Sequence, residues 1–256
     1  FLFKGKIIKI AKEQINNNLN AKADFEKLSL SLFRSFPNVS VGIQNFYIAG
    51  IDAFEGDTLF SVRSLDVVVD LVSAIKMENI KIRKIAVDYP RVHAWVLPDG
   101  KVNWDIAKET GETEEDTTSG ETNMNVELKR FEINHALIRY DDDSSKINAS
   151  LDDLNFLMTG DLSQDFTTLT MNSNTRLVNV VYGGIRYLKD AALTLQAGVD
   201  ADLKNSKYTL KENSVALNDL VLRFNGDVAM PNEDDILVNI KYGLDKADFK
   251  SLLSLI

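Results

Sequence analysis

One irregularity constrains this chain more than any other feature. Apolar residues recur as Φ-x-Φ-x-x-Φ-x-Φ, first at Val41, Ile43, Phe46 and Ile48. Strict alternation places every second residue on one face of a strand. Here the phase slips once, at Gln44-Asn45, and then resumes. A single extra residue is what a β-bulge supplies, and it returns the apolar set to its original face while adding twist. The slip recurs at Ile80, Ile82, Ile85, Val87 and Tyr89 around Arg83-Lys84, and at Phe131, Ile133, Ala136, Ile138 and Tyr140 around Asn134-His135. Two further copies are Ala149, Leu151, Leu154, Phe156, Met158 and Val215, Leu217, Leu220, Leu222, Phe224, within LDDLNFLMTGDL (151–162) and LNDLVLRFNGDV (217–228). The repetition predicts a repeat protein built of strands.

The rest of the chain fits around these strands. Residues 4–19 place Ile7, Ile8, Ala11, Ile15 and Leu19 at helical spacing. Lys4, Lys6, Lys9 and Lys12 make that stretch basic, which suits a membrane-proximal helix beside anionic headgroups or an ordinary capping helix with a solvated face. One-sided strands follow, at Leu28–Leu32 and Leu65–Leu71 among others, separated by turns at Phe36-Pro37-Asn38, Asp52–Asp57 and Pro98-Asp99-Gly100. From Glu109 to Asn125 there are six acids, no Lys or Arg and one large apolar residue, Met124. Burial there cannot offset ordering entropy, so an acidic disordered linker or long loop is expected between a strand segment at 1–108 and a continuing one at 126–256. Lys246–Leu255 reads as a short C-terminal helix.

The 256 residues carry a net charge of −9, which argues against a nucleic-acid partner, since that needs a basic face. No cysteine is present, and no run approaches the roughly 18 apolar residues of a membrane span. The chain begins at Phe1 and ends Leu-Leu-Ser-Leu-Ile, and reads as a fragment cut at both ends. His93 and His135 sit inside predicted strands with no partner at metal-ligand spacing. Asp141-Asp142-Asp143 with Ser144 and Ser145 lacks the glycine and bidentate Glu of a calcium loop and reads as a solvated hairpin turn. No G-x-S-x-G, P-loop or dinucleotide fingerprint occurs. The expectation is a protein that is not an enzyme and uses no cofactor or metal.

The chemistry on offer is physical. Ten or more one-sided strands with only two short helices leave an apolar face on the order of 1,500 Å², several times what soluble monomers tolerate. A second sheet, curling of the sheet on itself, or an apolar ligand must cover it. Bulges and their twist favour a long, largely antiparallel, mainly β sheet curled into an apolar groove. The residues placed on its wall are Val41, Ile43, Leu65, Val67, Val69, Ile82, Ile85, Val87, Ile138, Phe156 and Leu222. Such a wall suits acyl chains, at roughly 0.8 kcal/mol per buried CH₂; the same residues also suit a sheet packed as core and nothing more.

Several segments resemble the N-terminal region of the AsmA family: FKGKI (3–7), NLNA (18–21), LSLSLFRSFPNVSV (28–41), FEGDTL (54–59) and DGKVNWDI (99–106), with Lys207-Tyr208-Thr209 and 217–228 similar to its continuation. The resemblance implies a Gram-negative envelope protein, anchored in the inner membrane by an N-terminal helix that would precede FKGKI, with its bulk in the periplasm and a part in outer-membrane biogenesis. It also implies similarity to chorein-type bridge-like lipid transfer proteins, whose repeating β-groove carries phospholipid chains. The rival expectation is a non-catalytic scaffold that contacts outer-membrane assembly proteins by its sheet edges.

Overall fold

The structure is a computed structural model and describes residues 12, 16–32, 36–76, 81–108, 127–232 and 235–245. Lys4, Lys6, Lys9, Ile80, the acidic stretch 109–125, the C-terminal helix and most of the leading helix lie outside them. Thirteen strands form one sheet: β1 (Lys22–Asp24), β2 (Lys27–Ser31), β3 (Asn38–Ala49), β4 (Thr58–Asp70), β5 (Ile82–Asp88), β6 (Arg91–Val96), β7 (Arg130–Asp142), β8 (Ile147–Thr159), β9 (Phe166–Tyr182), β10 (Ile185–Asp202), β11 (Lys207–Leu217), β12 (Leu220–Ala229) and β13 (Leu237–Asp245).

Most neighbours are joined by hairpins and pair antiparallel, β7 through β13 in strict succession. The sheet is nevertheless mixed. β5 and β6 both pair with β7 in parallel, because the chain leaves β6 at Val96 and returns at Arg130 by a long connection rather than a tight turn. A parallel pair needs a crossover of about a dozen residues or more, and residues 97–129 provide one. β5 and β6 lie in line between β4 and β7, one strand interrupted at Tyr89-Pro90; β1 and β2 share β3 in the same way.

Among the described residues no second sheet and no helix of more than six residues lies on this sheet. The fully buried cluster is small, Val178 and Ala191, with Leu151, Val180, Leu188, Leu193, Leu217 and Leu220 packed partly buried against it. No large side chain is fully buried.

The phase slips are real, and those at Asn45, His135 and Asp153 align across the strands. Asn45, His135 and Asp153 take φ of 51°, 56° and 57°, and Asp190, at a slip the repeat pattern passes over, takes 49°. At Arg83 the register against β4 shifts by one residue, between Val68 and Val69. The slip at Asn218-Asp219 is different: Leu217 pairs with Leu220, so these two residues are the turn of the β11–β12 hairpin. Asn218, at φ 49°, is a residue type that tolerates the left-handed region a two-residue hairpin requires. Tyr89 also leaves the predicted apolar set. At φ 53° its ring turns outward onto His135.

Candidate functional site

The register carries apolar residues across the whole sheet in rows. Ile43, Leu65, Val87, Ile133, Phe156, Ser173, Leu195, Val215, Leu222 and Leu244 are successive cross-strand partners from β3 to β13. Nine of the ten are apolar. With about 4.8 Å between strands, the row is about 43 Å long. Beside it run Val41, Val67, Ile85, Phe131, Met158 and Met171, and then Val39, Val69 and Ile82. Past the slips, Ile48, Phe60, Val92, Ile138, Leu151, Val178 and Ala191 form a further row. All eleven residues expected on an apolar wall fall in these four rows. Apart from Val69, which is buried, they are half-buried.

Phe60, Val92, Leu195 and Leu244 belong to the same rows and are not part of the sequence pattern; Ile133 is part of it but not among the expected wall residues. Phe60 was within reach, since Phe60, Val62, Leu65 and Val67 repeat the slip around Arg63-Ser64. Val62 is buried, and Phe46 and Phe60 set their rings 6.0 Å apart across the strand pair.

The slips themselves form a polar seam across the strands. The Asn45 amide donates to Glu26. The Arg63 guanidinium bonds Asp88 at 2.5 Å and lies 3.9 Å from the Tyr89 ring centre, a cation–π contact. Tyr89 stacks on His135 at 4.7 Å. His135 Nδ1 pairs with Asp153 at 2.7 Å, and Arg176 approaches Asp153 from β9 at 3.7 Å. The hydrogen bond from His135 holds the Asp153 carboxyl below its ordinary range. An extra residue breaks the backbone ladder locally, and these side chains replace the missing cross-strand bonds: Asn155 Oδ1 accepts the His135 amide at 3.0 Å, and Asn218 Oδ1 accepts that of Ala192 at 2.7 Å.

A second polar cluster joins two of the segments that carry the family resemblance. Asp57 of FEGDTL and Asn103 of DGKVNWDI meet at His93: His93 Nδ1 lies 2.6 Å from Asp57 Oδ1, and Asn103 Nδ2 donates to Asp57 Oδ2 at 2.8 Å and to the His93 carbonyl at 2.7 Å. Asp141 closes the other side, 2.9 Å from His93 Nε2. Burial alone would lower the His93 pKa, but the two carboxylates outweigh it and the pKa is raised. Asn103 is only 3% exposed, and its amide also clamps the Trp95 backbone. This knot fastens the 97–108 loop to the sheet.

The acidic turn is not simply solvated. Asp142 accepts the Ser144 hydroxyl at 2.6 Å and the Ser145 amide at 2.8 Å, which hold its pKa at about 2. Asp143 accepts the Trp95 indole N–H. Among the described residues no group of three or more His, Asp or Glu is arranged to hold a metal ion. Lys12, the described member of the basic set, pairs with Asp24 at 2.5 Å and lies over Phe25.

The fold and this face define a class of protein: a repeating sheet whose distinguishing surface is long, apolar and continuous from strand to strand. The AsmA family model matches residues 2–220. The chain belongs to the AsmA family, which is associated with assembly of the outer membrane and biogenesis of the envelope. Comparison with curated proteins and with solved structures returned no match. Among the described residues no helix is long and apolar enough to cross a membrane.

Proposed function

We propose that the apolar face is the wall of a groove that binds acyl chains of phospholipids and passes them along the row axis, in the periplasm of a Gram-negative cell, in support of outer-membrane assembly. The observation that carries this reading is the ten-strand row from Ile43 to Leu244, continuous in register and interrupted only by Ser173. A packed core would need a second layer, and the described residues supply none. Bulges bend and twist the strands that carry them, so kinks aligned from β3 to β10 favour curling about the row. Attachment to the inner membrane, which the family resemblance implies, belongs to the same reading.

The test is native mass spectrometry of the purified chain with lipid extraction. Phospholipid bound at defined stoichiometry, released only on unfolding or by organic solvent, is the expected result. A lipid-free mass from a folded sample would refute the reading. The second reading, a scaffold that docks outer-membrane assembly proteins by a sheet edge, draws on β13. All nine of its residues are exposed, and among the described residues its outer edge pairs with nothing, as a strand-accepting edge requires.

A further inference from the structure

The β9–β10 hairpin closes on Gly183-Gly184, whose φ of 58° and 81° give the left-handed pair of a tight hairpin. Around the turn Tyr182 is 52% exposed, Ile185 62% and Tyr187 49%. The two tyrosine rings lie 6.4 Å apart. On one flank the Gly183 amide donates to the Lys146 carbonyl at 2.9 Å, so the β7–β8 turn lies level with the tip. On the other flank β11 ends at Leu217 opposite Leu193, so β10 from Ile185 to Ala191 extends about 20 Å past the β11–β12 turn.

Three cations gather at the tip of a chain whose net charge is −9. Lys146, Arg186 and Lys189 are exposed, and none makes an ion pair among the described residues. Ser144–Ala149 and Val181–Lys189 contain no acid; Asp141, Asp142 and Asp143, across the β7–β8 hairpin from Ile147 and Asn148, bound the patch on one side and Asp190 on the other. Tyrosines with an aliphatic neighbour, ringed by Lys and Arg, are what a bilayer interface takes up: the rings lodge at headgroup level and the cations are drawn to anionic lipid. Just inside the tip, Val180 and Leu188 pair with each other and pack against the buried Val178–Ala191 cluster. The tip thus stands where the apolar rows run out.

We propose that the β9–β10 tip is a membrane-contact site that lodges Tyr182, Ile185 and Tyr187 in the headgroup region of an anionic bilayer. The site does not depend on acyl chains occupying the sheet, and vesicle contact is read separately from lipid extracted with the protein. The chain has no cysteine, so Ile185→Cys carries a single environment-sensitive fluorophore. Ser206→Cys, in the turn at the far end of β10, is the control. Phosphatidylglycerol-containing vesicles should raise the emission at 185 severalfold and shift it to the blue. Pure phosphatidylcholine vesicles should leave it unchanged, and neither should alter the label at 206. No response at 185, an equal response to neutral vesicles, or an equal response at 206 would overturn the assignment. So would a rise with protein concentration alone, which would mark the tip as a contact between copies of the chain. Lys146→Glu, Arg186→Glu and Lys189→Glu combined should abolish flotation of the tip-dependent fraction with anionic vesicles.

Discussion

Val67→Asp and Ile85→Asp should each reduce phospholipid capture at least tenfold while the sheet stays folded, and Val68→Asp should leave capture intact. Val67 and Ile85 are register partners on two strands paired on both sides, in the row from Val41 to Met171. A carboxylate there stands in a row of apolar register partners, Val41, Val67, Ile85 and Phe131. An acyl chain crossing it forfeits about 0.8 kcal/mol for each methylene left wet, and drying the charge instead costs several kcal/mol. Two wetted methylenes, at about 1.6 kcal/mol, or the charge penalty alone, exceed the roughly 1.4 kcal/mol that a tenfold change in binding represents. Val68 points to the other face, where its partners are Ser40 and Lys84, so the same charge meets a lysine. The assay is capture of a fluorescent phospholipid, with far-ultraviolet circular dichroism reporting the fold. Capture at the wild-type level by both row variants would remove these strands from the lipid path.

Gly226→Ala has the largest expected effect on the sheet itself. Gly226 takes φ 145° and sits against β13 so closely that a Cβ would lie 2.0 Å from the Asn239 carbonyl oxygen and 2.8 Å from the Ile240 Cα. Both obstacles are backbone, so no side-chain rotation relieves them. The backbone must shift where β12 and β13 pair from Val221↔Asp245 to Ala229↔Leu237. Strain and overpacking of this kind cost about 3 kcal/mol together. β13 is an edge strand held on one side, so the cost falls on its pairing and not on the whole sheet. Hydrogen exchange should show the amides of β13 losing protection while β7–β10 keep theirs, and the row should shorten by Leu244. Gly243→Ala, where nothing lies within 4 Å, is the matched control. Unchanged protection in β13 of Gly226→Ala would contradict the close approach.

What could be read from the sequence was local. Each slip is written in a few consecutive residues, so the positions of Asn45, His135 and Asp153 are legible in the sequence, and with them which residues of each strand share a face. The motif Φ-x-x-Φ is degenerate, however. The same four residues make a bulge where the strand continues, as at Leu151–Leu154, and a two-residue hairpin where it folds back, as at Leu217–Leu220; only the partner strand decides. At Thr175–Val178 the intervening pair is Arg176-Leu177, and the second apolar residue hides the slip. The parallel pairing of β5 and β6 with β7 depends on where the chain returns after residue 129, which no local pattern records. The His93 knot is hidden for the same reason: Asp57 and His93 are 36 residues apart, and Asp57 and Asn103 are 46 apart. Each reads alone as an ordinary polar residue of a strand or turn.

The central claim is that one face, from β3 to β13, is a single path for acyl chains. Site-specific photocrosslinking in cells tests it most directly, with a photoreactive residue placed in turn at Leu65, Phe156 and Leu222 on the ten-strand row, and at Asp66, Leu157 and Val221 immediately behind it. Lipid adducts at all three row positions and none at the three behind them is the predicted result. Adducts in equal yield on both faces, or none along the row in a folded protein, would contradict it.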